Sequence, residues 1–473
     1  MTSSPPPTSP DTSVARAPAG AGVAAGGAAA TTAAAVAPAA RAELRMPDHH
    51  PLFSGAEALA EAQRCLYCDE APCTEACPTG IDVPSFIRKI ATGNLRGSAR
   101  TILTANLLGY SCARVCPVEV LCAGACVFNH RNEPPIAIGR LQRYAVETVM
   151  DRGGAARLFA RRPANGKRVA CVGAGPASLA CAAYLTLEGF ACTVYEKRPL
   201  PGGLNSTGVA PYKMHLDGSL REVNLLRDLG VAIATGVEIG RDIPGARLLA
   251  ENDAVFLGVG LGADSRLGVP GEDGSAVYGA VAWIERMKTD PGFAVGDVER
   301  AVVIGGGNTA IDAARELAHL GAREVVLLYR RTAEVMRGYA HEMARARLEG
   351  VTLAERAVVA SFERDAAGRL TSVVLEDGRR IACGLAVVAI GQASLRAIAA
   401  QFPGVAVDHD GSLIADEATG RTGNARVFAG GDARNGGKEV VNAVQEGKRA
   451  ARAIAAQCGI EIAPGAAMNA GHV

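Results

Sequence analysis

The chain has 473 residues, enough for about three domains of ordinary size, and its 49 Lys and Arg against 48 Asp and Glu leave a formal charge of +1. That balance excludes the basic footprint of a nucleic-acid binder and the basic stripe of a protein held on anionic membrane. No apolar run reaches the roughly 18 residues a membrane helix needs, while 49% hydrophobic residues can fill large cores.

Of residues 1–45, 35 are Ala, Pro, Gly, Ser or Thr. Such a segment cannot bury enough apolar surface to offset its ordering entropy, so a disordered tail is expected. It lacks the apolar core of a secretion signal, so a cytoplasmic location with reduced thiols is expected. Residues 46–164 are predicted as a helical domain. Val83–Thr92 and Gly139–Met150 carry helical apolar spacing, and residues 151–166 form a Gly/Pro-containing linker. From Lys167 the pattern changes to a strand (RVACVG), a glycine turn (GAGPAS), a helix (LACAAYLTLEGF) and a second strand (ACTVYEK). This is a βαβ unit. A second copy starts at Arg300 with AVVIG, GGNTA, IDAARELAHLG and REVVLLYRR. The segment VFAGGD and a helix from Val440 to Gln457 follow, and the last ~15 residues are expected to fray.

The first turn reads Gly173-Ala174-Gly175-Pro176-Ala177-Ser178. Gly173 permits the tight turn, Gly175 lets backbone approach a pyrophosphate, and the small Ser178 lets helix and strand pack closely. Glu196 ends the second strand, 23 residues after Gly173, where a carboxylate can accept from a ribose hydroxyl. The second turn reads Gly305-Gly306-Gly307-Asn308-Thr309-Ala310. Its second strand ends on Arg330 and Arg331, with Arg337 close behind. An arginine accommodates the 2′-phosphate that a carboxylate would repel, which favours NADPH over NADH; the other reading is solvated surface arginines. After the apolar Val427 and Phe428, Gly430-Gly431-Asp432 offers either a carboxylate for a ribityl hydroxyl or a plain helix cap.

These three pieces, in this order, resemble the flavoproteins with two dinucleotide-binding domains. The resemblance implies FAD on the first loop and on Gly431-Asp432, with Lys197, Gly203 and Leu204 alongside. It places an FAD domain at 165–283 plus 393–460 and an inserted NAD(P) domain at 284–392. Gly258–Gly262 and Ala389–Gly391 look like the family's short connecting strands, with Ala389 and Gly391 at the nucleotide site. Disulfide reductases of this group pass electrons to a Cys pair, but no CxxC or CxxxxC occurs in residues 167–473. Cys171, Cys181 and Cys192 are expected to be inert core residues, so electrons must leave another way.

Eight of the thirteen cysteines lie between Cys65 and Cys126. They read Cys65-x2-Cys68-x4-Cys73-x3-Cys77-Pro78, then Cys112-x3-Cys116-Pro117-x4-Cys122-x3-Cys126. Thiolates at such spacings hold iron–sulfur clusters or structural zinc. Clusters are preferred because they give the flavin's electrons an exit. The stretches RCLYCDEAPCTEACPTGIDVPSFI, CARVCPVEVLCAGACV and PIAIGRLQRYAVE resemble the N-terminal domain of dihydropyrimidine dehydrogenases and the small subunit of bacterial glutamate synthase. The resemblance implies one 4Fe-4S cluster on Cys65, Cys68, Cys73 and Cys126. It implies another on Cys77, Cys116, Cys122 and the amide of Gln142, with Cys112 metal-free and Val115 near the flavin. A neutral amide replacing a thiolate makes that cluster less negative and, on that ground alone, easier to reduce.

The expected class is α/β: a helical two-cluster iron–sulfur domain followed by two Rossmann-like dinucleotide-binding domains. No (β/α)8 barrel, which needs about 250 residues, follows residue 457. The expectation is therefore an electron-input subunit. It would oxidise NAD(P)H at FAD and pass electrons through two 4Fe-4S clusters to an FMN/iron–sulfur barrel subunit in a hetero-oligomer. That partner would reduce uracil or thymine. The alternative is a glutamate synthase small subunit or a related electron-transfer flavoprotein.

Overall fold

The computed structural model describes residues 41–462. The tail expected over residues 1–40 and the fraying expected over 463–473 lie outside the described residues. The expected tail is too long at its inner end. Residues Ala42–Arg45 form a 3-10 turn, and Arg41 and Glu43 are buried at 6% and 0% exposure. The Arg41 guanidinium bonds Asp217 at 2.5 Å and Glu43 accepts the Leu216 N–H at 3.0 Å. Composition averaged over 45 residues hides these two long-range partners.

The helical part starts at Gly55–Gln63, where Ser54 and Glu57 form a reciprocal capping box. Helix Val83–Ala91 has Pro84 in its first turn, and the Asp82 carboxylate accepts the Ser85 N–H. Its Val83, Phe86, Ile87 and Ile90 recur at helical spacing and are buried. Helices Leu95–Ala105, Gly109–Val115 and Ile138–Asp151 complete one core, in which Phe86, Ile102, Leu141 and Val146 are fully enclosed.

Two parallel five-stranded sheets follow. In the first, the spatial order is Val427–Ala429, Ala254–Leu257, Arg168–Val172, Ala191–Glu196, Ala232–Thr235. Helix Pro176–Leu187 is apolar nearly all round because it lies between this sheet and helix Val440–Gln457 in the same core. In the second, the order is Val277–Gly279, Leu385–Val388, Arg300–Ile304, Glu324–Leu328, Val351–Ala354. A three-stranded antiparallel sheet, Val359–Arg364 with Leu370–Leu375 and Arg380–Ala382, is attached to it through a shared core.

The chain crosses between the sheets at the antiparallel pair Leu261–Asp264 and Gln392–Ser394. An insert starting at residue 284 would cut helix Ala280–Thr289, whose Trp283, Ile284 and Met287 belong to the second core. The strand before it already pairs with Leu385–Val388. Its three residues are too few to show a period-2 pattern. Gly258–Gly260 and Ala389–Gly391 are likewise links beside strands, not strands.

Polar contacts fix the second sheet's helices against the first half. Tyr212 donates its hydroxyl to Asp312 at 2.5 Å, and Lys213 bridges Asp312 and Glu342 at 2.8 and 2.9 Å. The fully buried Lys288 donates to the Val209 and Met214 carbonyls at 3.0 and 2.9 Å. Burial pulls its amine down to about 8.

Candidate functional site

The cysteines fall into two neighbourhoods. Cys65 feels Cys68 and Cys126, and Cys73 feels Cys65 and Cys126. Cys116 faces Cys112, Cys122 and Cys77, and Cys122 faces Cys77 and also feels Cys73, so the two neighbourhoods adjoin. Among the described residues, no three His, Cys, Asp or Glu side chains close on one point as ligands of a single ion. Burial pushes the Cys73 thiol up to about 11 and the Cys122 thiol up to about 12, and neighbouring thiols push both further. Thiolates crowded this way need positive charge among them to ionise, and bound iron supplies it. The donor sets therefore fit clusters. The Cys65–Cys68 loop also carries strain: Tyr67 between them has φ 52°, a conformation a non-glycine residue adopts only where the surroundings enforce it. The Tyr67 hydroxyl is tied to the Ala62 carbonyl at 3.0 Å, and its backbone N–H donates to the Cys65 sulfur.

Gln142 lies on helix Ile138–Asp151, buried at 7% exposure. Its Nε2 donates to the Gly109 carbonyl at 2.8 Å, at the start of the helix that carries Cys112 and ends before Cys116. No hydrogen bond reaches Oε1 among the described residues, so the amide's acceptor end is available. Cys112 is a buried free thiol hydrogen-bonded to the Cys116 thiol. Val115 is half-buried at the last turn of the same short helix.

The first glycine loop joins the Arg168–Val172 strand to the Pro176–Leu187 helix. Gly173 has φ 88°, and a side chain there would stand 2.6 Å from the Gly258 carbonyl oxygen. A Cβ at Gly175 would come no closer than 3.9 Å to any neighbour, which leaves room for a phosphate at the helix start. Ser178 donates to the Val172 carbonyl at 3.3 Å and is a packing residue here. The Glu196 carboxylate accepts the Ala174 N–H at 2.7 Å and the Arg198 N–H at 2.8 Å, tying the end of the second strand to the loop. Gly203, at the head of a turn with Leu204, abuts Gly175, and Gly431 abuts Ala177. Lys197 is exposed. Asp432 accepts the Lys438 N–H at 3.3 Å, and burial pushes its carboxyl up. The first loop, the Gly203 turn and the Gly431 turn thus form one open cradle that fits a flavin dinucleotide.

The second loop joins Arg300–Ile304 to Asn308–His319. At Gly305 (φ 153°) a Cβ would lie 2.3 Å from the Ala389 carbonyl oxygen, so the loop and the Ala389–Gly391 link can cross only at a glycine. A Cβ at Gly307 would meet nothing within 4 Å. The Gly306 carbonyl accepts the Arg337 N–H at 3.1 Å, and Asn308 Oδ1 accepts the Tyr339 N–H at 2.9 Å. These bonds bring Arg337 to the loop's edge; Thr309 is exposed beside it. Arg330, Arg331 and Arg337 are all exposed. None of their guanidiniums enters an ion pair among the described residues, and Arg331 rests over the Tyr329 ring at 5.7 Å.

Three residues that matter here escape motif reading. Glu446 accepts the Gly431 N–H at 2.7 Å and pairs with Arg434 at 2.7 Å, so it shapes the Gly431 turn. Tyr339 donates to Glu439 at 2.7 Å, linking the second loop's surroundings to the start of helix Val440–Gln457. Lys448, on that same helix, reaches the cysteine region. Each works through contacts remote in sequence, and no local spacing announces it.

Comparison with known proteins matches residues 44–154 to the family described as dihydropyrimidine dehydrogenase domain II, 4Fe-4S cluster. Residues 167–447 match the pyridine nucleotide-disulphide oxidoreductase family. The chain is 32% identical over 434 residues to glutamate synthase (NADPH) small chain of Escherichia coli K12, covering 85% of this chain and 92% of the relative. It is 35% identical over 408 residues to the NAD-dependent dihydropyrimidine dehydrogenase subunit PreT of the same organism, covering 85% and 95%. Among solved structures, T. acidophilum thioredoxin reductase shares the fold at TM-score 0.51 and 20% identity, over 61% of this chain and 98% of that one. With a cluster domain in front and two nucleotide cradles behind, the chain belongs to the pyridine nucleotide-disulphide oxidoreductase family, as an NAD(P)-dependent flavoprotein that uses FAD and iron–sulfur clusters.

Proposed function

We propose that this chain is the electron-input subunit of a two-subunit dihydropyrimidine dehydrogenase. Its partner would be an FMN/iron–sulfur barrel subunit that reduces uracil or thymine to the 5,6-dihydropyrimidine. The observation that carries this reading is the buried Gln142, its Nε2 spent on the Gly109 carbonyl and its Oε1 without a donor, next to the helix bearing Cys116. A ligand amide matches the dihydropyrimidine dehydrogenase pattern. The 35% identity to PreT supports the same choice.

In this reading Cys65, Cys68, Cys73 and Cys126 hold one 4Fe-4S cluster, and Cys77, Cys116, Cys122 and Gln142 hold the other. Bound FAD would supply hydride-accepting chemistry toward NAD(P)H, and bound clusters would supply one-electron carriage. The chain's own work is placement. Gly173–Ala177, Glu196, Lys197, Gly203, Leu204, Gly431 and Asp432 hold the flavin dinucleotide, with Ser178 packing beneath the loop and Val115 near the ring. Gly305–Thr309, Ala389 and Gly391 receive the nicotinamide dinucleotide, and Arg330, Arg331 and Arg337 meet a 2′-phosphate. PreT is named as NAD-dependent and the glutamate synthase chain as NADPH-dependent. The three unpaired arginines favour NADPH.

The second reading, a glutamate synthase small subunit, rests on the 32% identity over 92% of that relative. The test is reconstitution. The purified chain, given NADPH, is combined with a dihydropyrimidine dehydrogenase barrel subunit and uracil, or with a glutamate synthase large subunit, glutamine and 2-oxoglutarate. Uracil-dependent NADPH oxidation supports the first reading. Glutamate formation without uracil reduction replaces it with the second.

A further inference from the structure

Helix Val440–Gln457 belongs to the flavin half, yet its Lys448 side chain crosses into the cysteine region. Lys448 Nζ donates to the Thr79 carbonyl at 3.1 Å and to the Ala105 carbonyl at 2.8 Å. Thr79 is itself buried, and its Oγ1 lies 3.4 Å from the Cys77 sulfur. The amine sits over the Tyr184 ring, 5.6 Å from its centre, and Tyr184 donates to the same Ala105 carbonyl at 2.8 Å. Cys77, Thr79 and Lys448 all line one cavity of about 1010 Å³. The ammonium is thus held by two carbonyls and a ring face, in electrostatic contact with Cys77. It has no carboxylate partner among the described residues.

A cation fixed beside a thiolate-ligated cluster favours the state with the extra electron. We propose that Lys448 raises the reduction potential of the cluster held at Cys77 relative to that of the cluster held at Cys65, so that it is the easier of the two to reduce. This rests on the ligand assignment above. Lys448 is a positioning and tuning residue: it touches neither nucleotide loop and acts through the Thr79 segment.

The test is a potentiometric titration of the FAD- and iron-loaded chain at pH 7, following each reduced cluster by electron paramagnetic resonance. The Cys77-site signal is assigned by its loss or alteration in Cys77→Ser. In Lys448→Met, the oxidised-to-reduced ratio of that cluster at a given potential is expected to rise about tenfold, a downward shift of about 59 mV for one electron. The other cluster and the flavin stay where they were, and Lys448→Arg behaves as wild type. If Lys448→Met does not assemble, Lys448→Gln keeps a donor for the two carbonyls without the charge, and the same shift is expected. Two intact signals with no shift, or an equal shift in both clusters, overturn the role of Lys448 alone. A wild-type chain with a single 4Fe-4S signal overturns the ligand assignment and this inference with it.

Discussion

Glu222 Oε1 accepts the backbone N–H of Tyr110 at 2.8 Å. The same oxygen accepts the Ser111 N–H at 3.1 Å, and Oε2 accepts the Ser111 hydroxyl. One carboxylate on the flavin-side helix Leu216–Asp228 thereby fixes the start of the helix that leads to Cys116. Burial is complete and raises its pKa from 4.5 to about 7, against the opposing pull of these hydrogen bonds.

A folded-state pKa above the unfolded one means the native chain binds the extra proton more tightly. The stabilisation is full below pH 4.5 and is lost as pH rises to about 7. The loss expected across that window is about 3 kcal/mol. Glu222→Gln keeps acceptors for both N–H groups and removes the titration. Urea unfolding at pH 5 and pH 8 should therefore show a clear drop for wild type and a smaller one for the variant. Equal drops would mean Glu222 is not the group responsible.

Glu196→Ala removes the acceptor at the end of the second strand and frees the Ala174 N–H it holds. FAD affinity is expected to fall by tenfold or more, about the worth of one charged hydrogen bond. Flavin per chain after gel filtration reads this directly. A variant that keeps its full flavin complement would take the ribose contact away from Glu196.

Arg330→Ala is expected to raise KM for NADPH roughly tenfold, with far less effect on NADH, because only NADPH brings a 2′-phosphate to the guanidinium. Dye-coupled assays with both nucleotides measure the ratio. Parallel changes would leave the three arginines as ordinary surface charge.

Gln142→Leu should drop the iron content from about eight to about four per chain if the amide closes the second cluster. Gln142→Cys should keep both clusters and lower the potential of one. Full iron in Gln142→Leu would return Gln142 to the role of a helix packing residue.

The elements with strong local patterns are legible in the sequence. The two glycine loops with their flanking strands and helices, Val83–Ala91 and Val440–Gln457 all carry their periodicity within one window. What escapes is decided at long range. Arg41 and Glu43 are ordered by Asp217 and Leu216, the strand Val277–Gly279 by its neighbour in the sheet, and Lys448 by Thr79 and Ala105. The cysteine spacing announces metal chemistry. Spacing alone does not divide the eight into sets; the division rests on the family resemblance, and the fold adds that Cys126 comes back beside Cys65 and Cys73.

The arm Arg41–His50 has a consequence for biosynthesis. His49 Nδ1 meets the Arg315 guanidinium at 3.0 Å across 266 residues of sequence, and its N–H donates to the Tyr212 carbonyl. On a ribosome adding about 5–20 residues per second, the arm waits on the order of 15–50 s for Arg315 to be made. Asp48 and His50 meet Arg143, only 93 residues beyond His50, so the arm can settle on the cysteine domain first and its tie to the Arg315 helix closes last.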